Sequence, residues 1–173
     1  MHAHTAPVRH HDSPIVLPAK IGWQAIQRIL VSGPFLESWT ADCRAIIDDA
    51  AEQIDGHPLV LLPDDIQAAD YSPHYDIAYG ADARELFRAC TETAPGSFRP
   101  RLLCIDFSPC PGDDADPLLL TLNTYLRDRS PIRVNLIVFT PSMAALPVAA
   151  FDHCLTFSEL SEHRYSGCRL STQ

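Results

Sequence analysis

The sequence predicts a single-domain α/β protein built on an open, mostly parallel sheet with helices on both faces. Its 173 residues match the usual size of one domain. Short apolar segments alternate with amphipathic segments along nearly the whole chain, and strand–helix–strand units of this kind connect parallel strands. The 15 prolines fall mostly between the apolar segments, where a missing N–H costs no sheet hydrogen bond.

The predicted strands are short apolar runs, several of which end at Gly, Pro or Asp. The four clearest runs occupy residues 28–33, 58–62, 101–107 and 132–140. We expect a fifth strand at residues 154–157 and an edge strand within residues 164–170. Residues 66–80 contain three tyrosines but no sustained period, so we expect an irregular crossing loop there.

The predicted helices show apolar residues at steps of three and four. This spacing covers residues 40–54 and 81–93. Asp116-Pro117 predicts the start of a third helix, because an Asp side chain caps the first turn and the fixed φ of Pro suits that turn. Asp55-Gly56 is expected to end the first helix, with the glycine in the left-handed conformation.

The chain termini and composition limit the class of protein. Residues 1–13 are rich in His and lack the apolar run of a secretory signal, so we expect a disordered tail followed by one domain over residues 14–173. No stretch approaches the roughly 20 apolar residues of a membrane-spanning helix. The sequence therefore predicts a cytoplasmic protein without membrane insertion.

Charge and cysteine usage exclude further classes. The chain carries 22 Asp and Glu against 13 Lys and Arg, a net charge of −9. A protein that binds nucleic acid through phosphate contacts needs the opposite sign. The six cysteines form no close pair of the kind that zinc sites use, and are expected to be buried free thiols. We expect no metal ion or other cofactor.

The segment after the first predicted strand has the outline of a phosphate-binding loop. Gly33 and Thr40 occupy the first and last positions of the G-x-x-x-x-G-K-[ST] frame. Ser38 stands in place of the second glycine, and Trp39 stands in place of the lysine that neutralises phosphate. Glu37 adds a negative charge beside them. Tight binding of a triphosphate is therefore not expected.

Asp106 ends the third predicted strand, as does the acid that holds Mg²⁺ in nucleotide hydrolases. An acid in this position is also an ordinary strand-exit residue or helix cap. Thr140 follows the fourth strand, where such enzymes often carry a polar sensor. Phe107 stands where a glutamate would activate water, so we assign no catalytic residue.

In this pattern the chain resembles a degenerate member of the RecA-like branch of P-loop ATPases. The resemblance spans residues 27–170, and Gly33, Thr40, Asp106 and Thr140 carry it. The chain is similar at this level to SulA-type cell-division inhibitors, which end in a stretch comparable to Arg164-Tyr-Ser-Gly167. It is also similar to the NTPase-like module of the cellulose-secretion regulator BcsE. The resemblance implies a protein that does not hydrolyse nucleotide and acts by docking other proteins, with Gly33, Thr40 and Asp106 as a vestigial nucleotide site.

Three aromatic residues are candidates for contact with a partner protein, which could be a second copy of the chain. Phe35 and Trp39 would anchor a partner if they are exposed, or fill the former phosphate space if they pack inward. Trp23 belongs to an apolar segment, residues 15–26, that is either a docking strip or an edge of the core.

Two other functions remain open at the level of sequence. A weak Mg²⁺-dependent ATP or GTP hydrolase would use Thr40 and Asp106. A receiver domain would use Asp106 as phosphoacceptor and Thr140 as switch residue. Receivers also need an acidic pair after the first strand and a Lys after the fifth, but this chain has Ser32-Gly33 at the first position and a single lysine, Lys20.

Overall fold

The computed structural model describes residues 21–32, 39–66, 68–91, 100–107, 116–128, 134–141, 146–157 and 168–171. For residues 39–42, 156–157 and 168–171 it describes the backbone alone. Seven strands join in one sheet. In chain order they are β1 (Arg28–Ser32), β2 (Pro58–Leu62), β3 (Asp76–Tyr79), β4 (Leu102–Asp106), β5 (Asn135–Thr140), β6 (His153–Phe157) and β7 (Cys168–Ser171).

Helices connect most of the neighbouring strands. They are α1 (Trp39–Ile54), α2 (Ala68–Tyr71), α3 (Gly80–Thr91) and α4 (Pro117–Arg127), with a short 3₁₀ helix at Val148–Ala150. The helix predicted at Asp116-Pro117 is confirmed, because Asp116 Oδ1 accepts hydrogen bonds from the backbone N–H groups of Leu118 and Leu119. These bonds satisfy donors that the first turn of a helix leaves free.

The strand order is β3-β2-β4-β5-β1-β6-β7. Strands β1 to β6 pair in parallel, and β7 alone pairs antiparallel, with β6. β1 therefore lies between β5 and β6 and does not pair with β2. A receiver domain has the flavodoxin-like order 2-1-3-4-5, in which the first strand pairs with the second. The sheet excludes the receiver alternative.

Two apolar cores, one on each face of the sheet, confirm the predicted layers. α1 and α2 pack on one face, and α3 and α4 pack on the other. Alternate residues of the central strands point to the two faces, as in a sheet covered on both sides. In β4, for example, Leu102 and Cys104 belong to the α1 core, and Leu103 and Ile105 belong to the α4 core.

The prediction of a loop over residues 66–80 is wrong. This segment forms α2 and the edge strand β3, which pairs with β2. Both elements have only four residues, too few for a period to stand out. The predicted fifth strand is confirmed as β6, and the expected edge strand is confirmed as β7, although it begins only at Cys168.

The prediction that Gly56 takes the left-handed conformation at the end of α1 is also wrong. Asp55 takes it, with φ of 54°. The Asp55 N–H donates to Glu52 O at 3.3 Å and the Gly56 N–H donates to Ala51 O at 3.1 Å, the paired bonds of a Schellman motif. Gly56 is required for a different reason, since a Cβ there would lie 2.7 Å from Arg101 Cβ.

Substitutions at these two neighbours are expected to act in opposite directions. Gly56→Ala should lower the free energy of unfolding by about 1–3 kcal/mol, because Arg101 or the backbone must move. Asp55→Gly should raise it by up to about 1 kcal/mol, because glycine adopts a positive φ without strain. Urea denaturation measures both changes. A loss for Asp55→Gly as large as that for Gly56→Ala would contradict this account.

Candidate functional site

The carboxyl ends of the parallel strands meet at one edge of the sheet, where α/β proteins hold their ligands. Gly33 and Phe35 lie outside the residues that the structure describes. The backbone places Trp39 and Thr40 in the first turn of α1, which begins at this edge. Asp106 is the last residue of β4, and of the vestigial nucleotide-site residues Gly33, Thr40 and Asp106 it is the one whose side chain is described.

Asp106 is completely buried, and Tyr71 covers it. The Tyr71 hydroxyl donates a hydrogen bond of 2.7 Å to Asp106 Oδ2, and both residues are 0% exposed. Asp106 follows Leu102 and Cys104 on the same face of β4, so its carboxylate points into the layer under α1 and α2. The acid that was predicted as part of a vestigial nucleotide site thus has a tyrosine hydroxyl as a direct partner.

α2 is held over the end of β4 by contacts with α1. Arg44 Nη1 donates to Asp70 O at 3.1 Å, and the Tyr75 hydroxyl donates to Asp48 Oδ1. The Tyr71 and Tyr75 rings lie 6.0 Å apart between the two helices. These contacts fix the position of Tyr71, and therefore the environment of Asp106.

The burial of this cluster changes the ionisation of its groups. Burial, and next the negative charge of Asp106, raise the pKa of Tyr71 far above its usual value. Burial also raises the pKa of Tyr75, with the hydrogen bond to Asp48 as the next cause. The pKa of the Cys104 thiol is raised by burial and by Asp106. Tyr71 therefore remains a neutral hydrogen-bond donor across the physiological range of pH.

The structure separates Thr140 from Asp106. Thr140 pairs with Ser32 across β5 and β1, and both side chains are almost fully buried. Alternation along the strands places Ser32 and Thr140 on the face that α3 and α4 cover, opposite to Asp106. The pairing of a polar sensor with a metal-binding acid on one face is therefore absent.

The edge is electrostatically unsuited to phosphate. Its described loops and first helical turns are residues 39–42, 63–66, 80–83, 106–107 and 116–119. Their sequence contains Asp at six positions and neither Lys nor Arg. Within the described part of the chain, no group of three or more His, Cys, Asp and Glu residues is placed to hold a metal ion. In these described segments a polyphosphate would meet carboxylates and neither Lys nor Arg.

Trp23 lies at the opposite edge of the sheet. Its indole Nε1 donates to Gln53 Oε1 at 2.8 Å, in the last turn of α1, and its ring packs against the α1 core. α1 has 16 residues and is about 24 Å long, so Trp23 and Trp39 lie at different ends of it. Trp23 also lines a groove of about 420 Å³ with Ile26 and Arg101. Trp23 and Trp39 therefore do not belong to one surface.

The functional residue that sequence reasoning missed is Tyr71. Its burial depends on Asp106, which lies 35 positions further along the chain. The signal was present in the sequence as a tyrosine-rich segment, residues 66–80, followed by a lone acid at the end of an apolar strand. A tyrosine hydroxyl is a suitable donor for a buried carboxylate, and a buried tyrosine hydroxyl itself needs a hydrogen-bond partner.

The described cysteines and helices agree with two simpler expectations. Cys43, Cys90, Cys104 and Cys154 are buried free thiols, as predicted. Among the described helices, none has both the length and the apolar character needed to cross a membrane.

Comparisons with known proteins find similarity only at the level of structure. No protein-family model matches the sequence, and no curated protein matches it. Among solved structures, the chain is similar to a KaiC-like protein from the hyperthermophilic archaeon Pyrococcus horikoshii OT3, with 16% identity. The alignment covers 96% of this chain and 93% of that chain, with a TM-score of 0.47. The order and direction of the strands, described above, are independent of that comparison.

Removing the Tyr71 hydroxyl is expected to destabilise the protein. Tyr71→Phe leaves Asp106 buried without this donor and should lower the free energy of unfolding by about 1.5–3 kcal/mol, the range for hydrogen bonds to charged groups. Tyr79→Phe removes the same atom from a side chain that is 47% exposed and should change it by less than about 0.5 kcal/mol. Urea denaturation at neutral pH compares the two. Equal effects would contradict the assignment.

The same tyrosine should make stability sensitive to alkali. In the unfolded chain Tyr71 loses its proton near pH 10, whereas in the folded chain its raised pKa keeps the proton bound. The unfolded state then binds fewer protons, so the free energy of unfolding falls as pH rises, by up to about 1.4 kcal/mol per pH unit for each such group. The slope between about pH 9 and 11 should be shallower in Tyr71→Phe. Parallel curves would contradict the prediction.

Proposed function

We propose that this chain is a RecA-like cytoplasmic protein that hydrolyses no nucleotide and regulates other proteins through direct contacts. The observation that carries the proposal is the burial of Asp106 under Tyr71. A magnesium-binding carboxylate must face the space that the phosphates enter. Here that carboxylate faces the core, and α2 stands between it and solvent.

The charge of the carboxyl-end edge supports the same conclusion. A phosphate loop offers a lysine and a glycine-rich run of backbone N–H groups. This chain has Ser38 and Trp39 at the corresponding positions of the sequence, beside Glu37. The described segments at the edge add Asp64, Asp65 and other carboxylates, and the sequence of these segments contains neither Lys nor Arg. Binding of a nucleotide would require several unfavourable contacts at once.

The scaffold itself is retained, and this favours a role in binding over a role in catalysis. The described residues form a seven-stranded sheet, four α-helices and an apolar core on each face of the sheet. A fold of this kind presents rigid surfaces, and its function resides in the sites that it carries. The most specific form of this proposal, which the sequence resemblance implies, is that the protein regulates cell division or a secretion complex.

A weak Mg²⁺-dependent hydrolase is the second candidate, and one observation favours it. α1 packs on the face of the sheet to which Asp106 points, and Thr40 lies in the first turn of α1. A nucleotide hydrolase needs its hydroxyl and its acid on the same face, beside one metal ion. Movement of α2 away from β4 would be required before Asp106 could bind that ion.

Calorimetry with Mg-ATP and Mg-GTP distinguishes the two candidates. We expect no binding in the micromolar range and no phosphate release above that of a buffer control. Micromolar binding or measurable hydrolysis would overturn the regulatory proposal. If binding or hydrolysis is found, Thr40→Ala and Asp106→Asn test the hydrolase mechanism, because only that mechanism requires both side chains.

A further inference from the structure

The groove beside Trp23 lies at the amino-terminal edge of the sheet, opposite to the edge where a nucleotide would bind. We call it the Trp23 groove. Its described walls come from the chain before β1, the end of α1 and the starts of β4 and β5. A volume of about 420 Å³ is in the range of small-molecule sites, which are mostly apolar with a few fixed polar groups. The apolar residues among its described lining are Trp23, Ile26, Ile54, Pro100 and Val134.

The walls of the groove are held in place by hydrogen bonds of Asn135. Asn135 Nδ2 donates to Arg101 O at 3.1 Å, and the Gln27 N–H donates to Asn135 Oδ1 at 2.9 Å. The Asn135 side chain thus ties the chain before β1 to the starts of β4 and β5. The Pro100 and Val134 side chains beside it are buried. The groove is therefore largely pre-formed, and both ends of the Asn135 amide are already engaged.

Arg101 is the one charged residue among the described lining residues. Its stem crosses the end of α1 over Gly56, which has no Cβ to block it. Arg101 Nη1 donates to Ile54 O at 3.4 Å and to Asp55 O at 3.2 Å. In the described part of the chain, no acceptor bonds to Nε or Nη2, and no carboxylate forms an ion pair with the guanidinium. An oriented guanidinium with donors to spare therefore lies beside an apolar wall.

The described carboxylates closest in sequence to the lining residues lie outside the groove. Glu52 and Asp55 are exposed at the end of α1, and neither belongs to the described lining. Asp152, at the start of β6, pairs with Arg28 at 3.6 Å. The charge that a ligand in the described groove meets directly is therefore that of Arg101.

We infer that the Trp23 groove binds a small apolar carboxylic acid, with its carboxylate on Arg101 and its carbon body against Trp23 and Ile26. A guanidinium fork matches the two oxygens of a carboxylate, and hydrogen bonds between charged partners are the strong ones. The apolar wall offers no polar partner, so it favours a ligand whose remaining part is a ring or a branched chain. The inference goes beyond the proposed regulatory function and does not depend on it.

Phenylpropanoate is the probe, and phenylpropanamide, in which a neutral amide replaces the carboxylate, is the matched control. Propanoate, which lacks the ring, tests the apolar contact. We expect phenylpropanoate to bind with a dissociation constant of about 1 mM or lower, and each control to bind at least about tenfold more weakly. In NMR titrations, backbone amides of residues 22–27, 54–56 and 101–103 should shift, and those of residues 63–66 and of α4 should not.

Variants of Arg101 place the carboxylate. Arg101→Met keeps a long stem without the guanidinium and should weaken phenylpropanoate at least about tenfold. Arg127→Met makes the same change in the last turn of α4 and should alter the affinity by less than about twofold. Circular dichroism checks that each variant is folded. If Arg101→Met does not fold, the amide control and the NMR shifts still decide whether the carboxylate binds in the groove.

Variants of the exposed apolar residues place the ring. Ile26 is 45% exposed and Leu120, on α4, is 52% exposed. Ile26→Ser should weaken phenylpropanoate at least about threefold, whereas Leu120→Ser should alter its affinity by less than about twofold.

A peptide that ends in Phe with a free carboxylate, N-acetyl-Gly-Gly-Phe, tests the other source of the same chemistry. Binding at least about tenfold tighter than that of phenylpropanoate would assign the groove to a chain terminus and overturn the proposal of a small acid. Weaker or equal binding supports the small acid.

Four further results would overturn the inference. They are the absence of phenylpropanoate binding, equal binding of the amide, equal loss of affinity in Arg127→Met, and NMR shifts centred on α4. Binding of Mg-ATP would overturn the proposed function and leave the groove result standing, whereas failure of phenylpropanoate would remove the groove site alone.

Discussion

The hydrogen bond between Tyr71 and Asp106 is the contact on which the arrangement of the carboxyl-end edge depends. A carboxylate with no exposure costs several kcal/mol unless donors satisfy its oxygens. Tyr71 supplies one such donor from α2, so the segment between β2 and β3 must pass over the end of β4. Hydrogen bonds that involve Arg44 and Tyr75 hold this segment against α1. The edge above β4 is closed as a consequence.

The strand order decides which surfaces lie together. Because β1 pairs with β5 and β6, the strands β4 and β5 lie between β1 and β2, and β3 forms one edge of the sheet. The same order places the aromatic residues Trp23 and Trp39 at opposite ends of α1, although both come from the chain around β1.

The long apolar runs could be located from sequence, but the contacts between them could not. β4 and α1 were predicted because each contains enough apolar residues to establish a period or a buried run. β3 was missed because only Ala78 in it is buried, so no alternation is visible in four residues. The position of Asp106 was predicted correctly, whereas its environment depends on a partner in α2. The separation of Thr140 from Asp106 depends on strand register, which the sequence leaves open.

The burial of Asp106 and the presence of carboxylates at the carboxyl-end edge are physically related. Two unit charges 4 Å apart interact by about 1 kcal/mol in water and by several times more near a protein surface. A site for a polyphosphate therefore excludes carboxylates such as Asp64 and Asp65 from its margin. Once Tyr71 holds Asp106 in the core, that exclusion no longer applies to the edge. Its loops can then carry acids such as Asp64 and Asp65.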